Sequence, residues 1–162
     1  MDRHFANGFE QTRPNPIEAT ARAGDMAAYL SRSGSLARDG YGEEAFDRLE
    51  NAQIAAARCL ESLVGARLSQ AFRGRAHVAR KHFLVAALGA WGQVTPPIED
   101  LLRTTSLRNA LTYDFTSAEA RFDEAQLLAA RDVTERVVDA VAAIMAAEDA
   151  EESGGAVRDT GA

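Results

Sequence analysis

Arg108 and Asn109, followed by Tyr113 and Asp114, are the residues in this chain best suited to chemistry on a phosphate. They lie in the run Leu107-Arg108-Asn109-Ala110-Leu111-Thr112-Tyr113-Asp114, near the end of a short helical pattern. Cutting RNA without a metal needs a base for the ribose 2′-hydroxyl and a cation for the phosphate. Arg108 fits the second task, because its guanidinium offers a planar fork of donors. Tyr113 is a poor base, since an unperturbed phenol titrates near ~10. Asp114 is a weak one, since an exposed carboxylate titrates near ~4. No histidine is close in sequence, and His77 or His82 would have to be brought in by the fold. These residue types therefore favour binding a phosphate over cutting beside it. They also have an ordinary reading, in which Arg108 pairs with Asp114 or Glu99, Asn109 caps the helix and the Tyr113 ring packs at its end.

Other chemistries are poorly supplied. His77 and His82 are five residues apart, which places them roughly 140° apart around a helix and off a common face. His4 lies near the start of the chain and Cys59 is the single cysteine. Neither a metal site nor any other cofactor is expected. The pairs Glu43-Glu44 and Glu151-Glu152 sit at a helix start and in a tail, where the helix dipole and solvation account for them. Cys59 falls mid-helix among small residues and reads as a packed small hydrophobe. One cysteine excludes an internal disulfide framework and fits a reducing cytoplasm. Residues 1–14 contain no secretory apolar segment, and no apolar run approaches membrane-spanning length.

The formal charge is −6, which by itself argues against general affinity for nucleic acid. Its distribution is uneven. Residues 62–98 carry five basic side chains and no acidic one, namely Arg67, Arg73, Arg75, Arg80 and Lys81, with His77 and His82 among them. Such an island makes a positive surface on an acidic protein, unless its members pair with carboxylates from the flanking segments.

The elements that must position these residues are helical. Alanine is abundant, 46% of residues are apolar, and there are only 4 prolines. An all-α fold, an up-and-down bundle of four or five helices, is expected from this pattern. Residues 1–14 read as a flexible arm, 15–148 as the helical domain and 149–162 as a disordered acidic tail. Asn15, Pro16 and Glu18 mark the first helix start, and Asp39-Gly40-Tyr41-Gly42 its end, with a kink or break possible at Ser33-Gly34-Ser35. Phe46, Leu49, Gln53, Ala56, Leu60 and Leu63 form the stripe of a second helix, expected to end between Leu68 and Phe72. Ala45, Ala52 and Cys59 line up beside it, suited to close helix approach within the chain or across a dimer. A third helix is expected over 76–90, with Val78, Val85, Leu88 and Trp91 inward. A fourth runs from the prolines at 96 and 97 to Tyr113. A last helix opens with the capping pattern Thr116-Ser117-Ala118-Glu119 and carries Phe122, Ala125, Leu128, Ala129, Val133, Val137, Val141, Ile144 and Met145 near one face.

The order of these features resembles the HEPN families, small helical proteins of toxin–antitoxin and other RNA-directed systems. The resemblance rests on Asp39-Gly40-Tyr41-Gly42-Glu43-Glu44-Ala45-Phe46, on the link Gly74, His77 and Phe83, and on Arg108 with Thr112-Tyr113-Asp114. It covers about residues 20–147. In those families an Arg, four intervening residues and a His form a metal-independent ribonuclease site. Tyr113 stands at that His position here, closer to branches with Asp-Tyr there and a following Asp. The resemblance implies an RNA- or nucleotide-phosphate-binding protein, non-catalytic or weakly catalytic, that forms a homodimer and acts with a nucleotidyltransferase partner. Arg108 and Tyr113 would be its reactive residues, and Arg108, Asn109, Arg73, Arg75, His77, Arg80 and Lys81 its phosphate-binding set. An active endoribonuclease in which a histidine from elsewhere in the fold, or Tyr113, replaces the missing His, and a protein–protein interaction module without a nucleic-acid role, are the alternatives.

Overall fold

The computed structural model describes residues 8–113 and 123–160, with side chains through 112 and through 154. The described residues are predominantly helical, as the composition implies. The order is β1 (Phe9–Gln11), α1 (Pro16–Arg38), α2 (Gly42–Val64), β2 (Ala66–Leu68), a 3-10 helix (Gln70–Arg75), α3 (Ala76–Ala90), α4 (Ile98–Tyr113) and α5 (Glu124–Thr160). Helix α2 is the hub and packs against α1, α3, α4 and α5.

Several boundaries follow from local chemistry. The Asn15 side chain accepts from the Glu18 amide at 3.0 Å, which fixes the start of α1. The chain does not break at 33–35, where the small residues would have allowed it, and α1 runs on from Pro16 to Arg38. Ser33 is buried and its hydroxyl donates to the Ala45 carbonyl at 2.7 Å, so small residues there let α1 approach α2 closely. The second helix ends at Val64, just past its stripe and short of the expected end between Leu68 and Phe72. Gly65 takes φ +72° and closes α2, its amide bonding the Glu61 carbonyl. A Cβ there would collide with the Thr12 carbonyl oxygen and the Pro14 nitrogen, so only glycine fits.

The early stop of α2 releases chain for a feature the helical pattern did not indicate. β1 pairs antiparallel with β2, Phe9 opposite Leu68 and Gln11 opposite Ala66. Phe9 also stacks on Phe83, ring centroids 4.8 Å apart. Residues 9–14 are thus tied down rather than part of a flexible arm. The Thr116–Glu119 capping pattern and Phe122 lie outside the described residues. The described part of α5 begins instead under Asp123, whose side chain accepts from the Ala125 amide at 2.9 Å. Helix α5 continues through the segment expected to be disordered, and residues 149–154 on it are exposed.

Two apolar clusters form the core. The larger joins Ala56, Cys59 and Leu60 of α2 to Leu84 and Leu88 of α3, Leu101 of α4 and Val137, Val141 and Ile144 of α5. The smaller joins Ala45, Phe46 and Leu49 to Leu107, Leu127 and Ala130. Leu128 and Val78, expected inside, are exposed, and Leu127 and Lys81 take inward positions instead. Ala45, Ala52 and Cys59 are fully buried, so the small-residue line is used inside the chain. Among the described residues no helix is long and apolar enough to cross a membrane.

Candidate functional site: a polar layer between the two cores

On α2 the stripe changes chemistry midway. Leu49 belongs to one apolar cluster and Ala56 to the other, and between them Glu50 and Gln53 are both fully buried. Neighbouring helices answer with Lys81, Thr104, Thr105 and Thr134, all buried. A buried charge is tolerated only when paired and hydrogen-bonded, and this layer meets that condition. Glu50 Oε2 receives the Lys81 ammonium at 2.6 Å, and the same ammonium donates to the Leu101 carbonyl at 2.7 Å. Glu50 Oε1 receives the Thr105 hydroxyl at 2.8 Å and meets His77 Nδ1 at 2.9 Å. Gln53 donates to Thr104 at 3.2 Å and to Thr134 at 2.9 Å, as a polar break in an apolar stripe implied.

The electrostatics follow from burial and pairing. Desolvation pushes the Glu50 carboxyl up, but the bonds from His77, Lys81 and Thr105 outweigh it and leave its pKa below the ordinary value. Desolvation pulls Lys81 down to about 8, against the attraction of Glu50, and the charge of Arg108 adds to the fall. Cys59, buried in the larger cluster, is pushed up to about 12 and is not a nucleophile at neutral pH.

Arg108 stands one turn along from Thr105 on α4. Its Nε donates to Asp47 Oδ1 at 3.0 Å, and its Nη1 to Asn109 Oδ1 at 3.2 Å. Of the partners expected in the ordinary reading, Asp114 lies outside the described residues, and Asp47 of α2 takes the place of Glu99. Asp47 and Glu50 are themselves one turn apart on α2, and residues so spaced stand about 5–6 Å from each other. Arg108 and His77, remote in sequence, are thus each held by one of two carboxylates a turn apart on α2, the rungs of a short carboxylate ladder. His77 keeps 38% of its side chain exposed, and Nε2 has no partner among the described residues. With Nδ1 fixed by a buried carboxylate, Nε2 is the ring atom left to exchange a proton.

The expected phosphate-binding set divides. Asn109 is exposed beside Arg108. Lys81 must be removed from the surface set, because its ammonium is wholly buried and spent on Glu50 and Leu101. Arg80 turns away from His77 and pairs with Glu61 at 3.1 Å. Arg73 and Arg75 are exposed on the 3-10 helix and form no ion pair among the described residues. Tyr113 ends α4, but its side chain lies outside the described part. Among the described residues no group of three His, Cys, Asp or Glu side chains could hold a metal ion.

Comparison with protein-family models, with curated proteins and with solved structures gives no match. The family resemblance thus rests on the sequence pattern alone. Two members of the ladder, Asp47 and Glu50, were not singled out from sequence. Glu50 was detectable: it falls four residues after Phe46 and three before Gln53, on the buried stripe. Asp47 was not, since an acidic residue after Phe46 on an acidic helix start is unremarkable.

Proposed function

We propose that this chain is an HEPN-like up-and-down helical bundle that binds RNA or a nucleotide through phosphate contacts on the α2–α3–α4 face, with little or no cleavage. The observation that carries this reading is the anchoring of Arg108. Asp47 fixes the guanidinium through Nε, while Nη2 has no partner among the described residues. An arginine held at its base with a free outer edge is well placed to grip a phosphate oxygen. Exposed Asn109 beside it, and Arg75 just before His77's helix, extend the same polar surface. A homodimer and a nucleotidyltransferase partner belong to this reading through the resemblance alone. A dimer contact would need a face other than the Ala45/Ala52/Cys59 line, which is already buried. The test is binding of single-stranded RNA at rising salt. Affinity should fall steadily with ionic strength as phosphate contacts are lost. Affinity that is absent or indifferent to salt would refute the reading and leave a protein-binding role.

The second reading, metal-independent endoribonuclease, is favoured by one contact, His77 Nδ1 to Glu50 Oε1 at 2.9 Å. It supplies the oriented imidazole that the sequence around Tyr113 lacks. His77 Nε2 would take the 2′-hydroxyl proton while Arg108 steadies the phosphate charge. Cleavage of single-stranded RNA in the presence of a chelator, lost in His77→Ala, would establish it over simple binding.

A further inference from the structure

The basic island reaches a second region, about three helical turns along α2 from Glu50. Arg80 points there, toward the end of α2, while His77 and Lys81 point to Glu50. Two adjoining clefts, of about 580 Å³ and 330 Å³, share Arg67, Leu68 and Arg80 in their walls. Together they collect Arg13 before α1, Arg58 of α2, Arg67 of β2, Arg73 of the 3-10 helix and Arg80 of α3. The β1–β2 ribbon brings these five together, since the cations come from five different segments.

We propose that this arginine cleft binds a phosphomonoester group, the terminal phosphate of a nucleotide or of an RNA strand. It goes beyond the α2–α3–α4 face, uses none of that face's residues, and does not require that face to function.

Three features support it. The first is charge. Five arginines face three carboxylates, Glu10, Glu18 and Glu61, in the walls. The excess of two positive charges matches a monoester phosphate, which carries about −1.5 to −2 near neutrality, better than a diester with a single charge. Arg13, Arg58 and Arg73 form no ion pair among the described residues, so the excess is local rather than formal.

The second is the state of the paired arginines. Arg80 meets both Glu61 oxygens through Nε alone, at 3.3 and 3.1 Å, which leaves both terminal nitrogens without a partner among the described residues. Arg67 uses only Nη2, at 2.9 Å to Glu10. The carboxylates thus hold the two forks in place without consuming them, the preorganisation that phosphate recognition by arginine exploits.

The third is crowding. Burial, and then the charges of Arg22 and Arg80, lower the pKa of Arg58 against the pull of Glu61 and Glu18, so three arginine charges act on one another at this place. Burial pushes Glu61 up to about 7, so the carboxylate that would oppose an anion is less than fully charged near neutrality. The combined space is in the usual range for a small-ligand pocket.

The experiment uses the full chain, a single-stranded oligoribonucleotide with a 5′-phosphate, the same strand with a 5′-hydroxyl, and AMP. Anisotropy gives the strand affinities and calorimetry that of AMP. The 5′-phosphate should tighten strand binding at least about tenfold, as a charge-assisted contact allows. That gain should vanish in the double variant Arg13→Ala/Arg73→Ala and survive in Arg108→Ala. AMP that binds and displaces the phosphorylated strand assigns the cleft to free nucleotides as well. AMP that fails to bind, with the strand difference intact, assigns it to strand ends. If the 5′-hydroxyl strand does not bind at all, the proposed RNA-binding face fails, and AMP affinity lost in the double variant still supports the cleft. Equal affinity for both strands with no AMP binding overturns the inference, as does a phosphate-dependent gain that persists in the double variant.

Discussion

Glu50 Oε1 and His77 Nδ1 stand 2.9 Å apart, and the first is fully buried while the second reaches solvent. One carboxylate thereby links the interior of the protein to its surface. On its buried side it neutralises Lys81, and on its outer side it orients the His77 imidazole. The same residue serves stability and the candidate site, and the predictions below separate the two roles.

Lys81→Met should destabilise the protein by about 3–5 kcal/mol, the cost of stripping one partner from a buried pair. Both side chains are fully buried, so Glu50 would be left with a desolvated charge that His77 and Thr105 offset only in part. Adding Glu50→Gln to Lys81→Met should recover much of the loss. Urea midpoints of the single and double variants measure this; a single variant within about 1 kcal/mol of wild type would show the pair to be inert.

Glu61 gives a pH dependence with a definite sign. Burial raises its folded pKa to about 7 against the pull of Arg80 and Arg58, from an ordinary value of 4.5. Between those values the folded state holds more protons than the unfolded one. The group's contribution is full below its unfolded value and is lost as pH rises through the folded one. Wild type should therefore lose stability relative to Glu61→Gln on going from about pH 5 to about pH 8. Parallel stability curves would contradict it.

Gly65→Ala should cost more than about 1 kcal/mol, since an L-residue resists the left-handed conformation. The clash with the Thr12 carbonyl adds to this and should loosen the β1–β2 ribbon as well. Faster amide exchange at residues 66–68 in the variant is the check; unchanged exchange and stability would show that the turn yields easily.

Removing residues 149–162 should change stability by less than about 0.5 kcal/mol, the range for surface changes without buried partners. Residues 149–154 extend α5 but are exposed, so their helical hydrogen bonds continue the preceding turns without adding core contacts. A larger drop in melting temperature would show that the segment docks.

Much of the helical frame was legible because capping and periodicity are local. Asn15 and Pro16 mark the start of α1, and the limits of α3 fall where the pattern puts them. The strand pairing was not legible, because three-residue strands are defined by a partner more than fifty residues away. The inward face of α3 was misjudged for a related reason. A lysine reads as solvated until a buried glutamate on another helix draws it in. The site was half visible: Arg108 and His77 stood out by type, but they are held by Asp47 and Glu50, which no spacing rule joins to them.

The most direct test of the central claim is the affinity of the full chain for a 5′-hydroxyl single-stranded RNA, measured for wild type and Arg108→Ala on samples whose melting is recorded in parallel. The account predicts roughly 10- to 150-fold weaker binding by the variant, the equivalent of about 1.5–3 kcal/mol for a charge-assisted hydrogen bond. It also predicts a stability loss of no more than about 1 kcal/mol, because the ion pair with Asp47 is partly exposed. Unchanged affinity per folded molecule, with a clear fall in melting temperature, would contradict it and make Arg108 a structural partner of Asp47 alone.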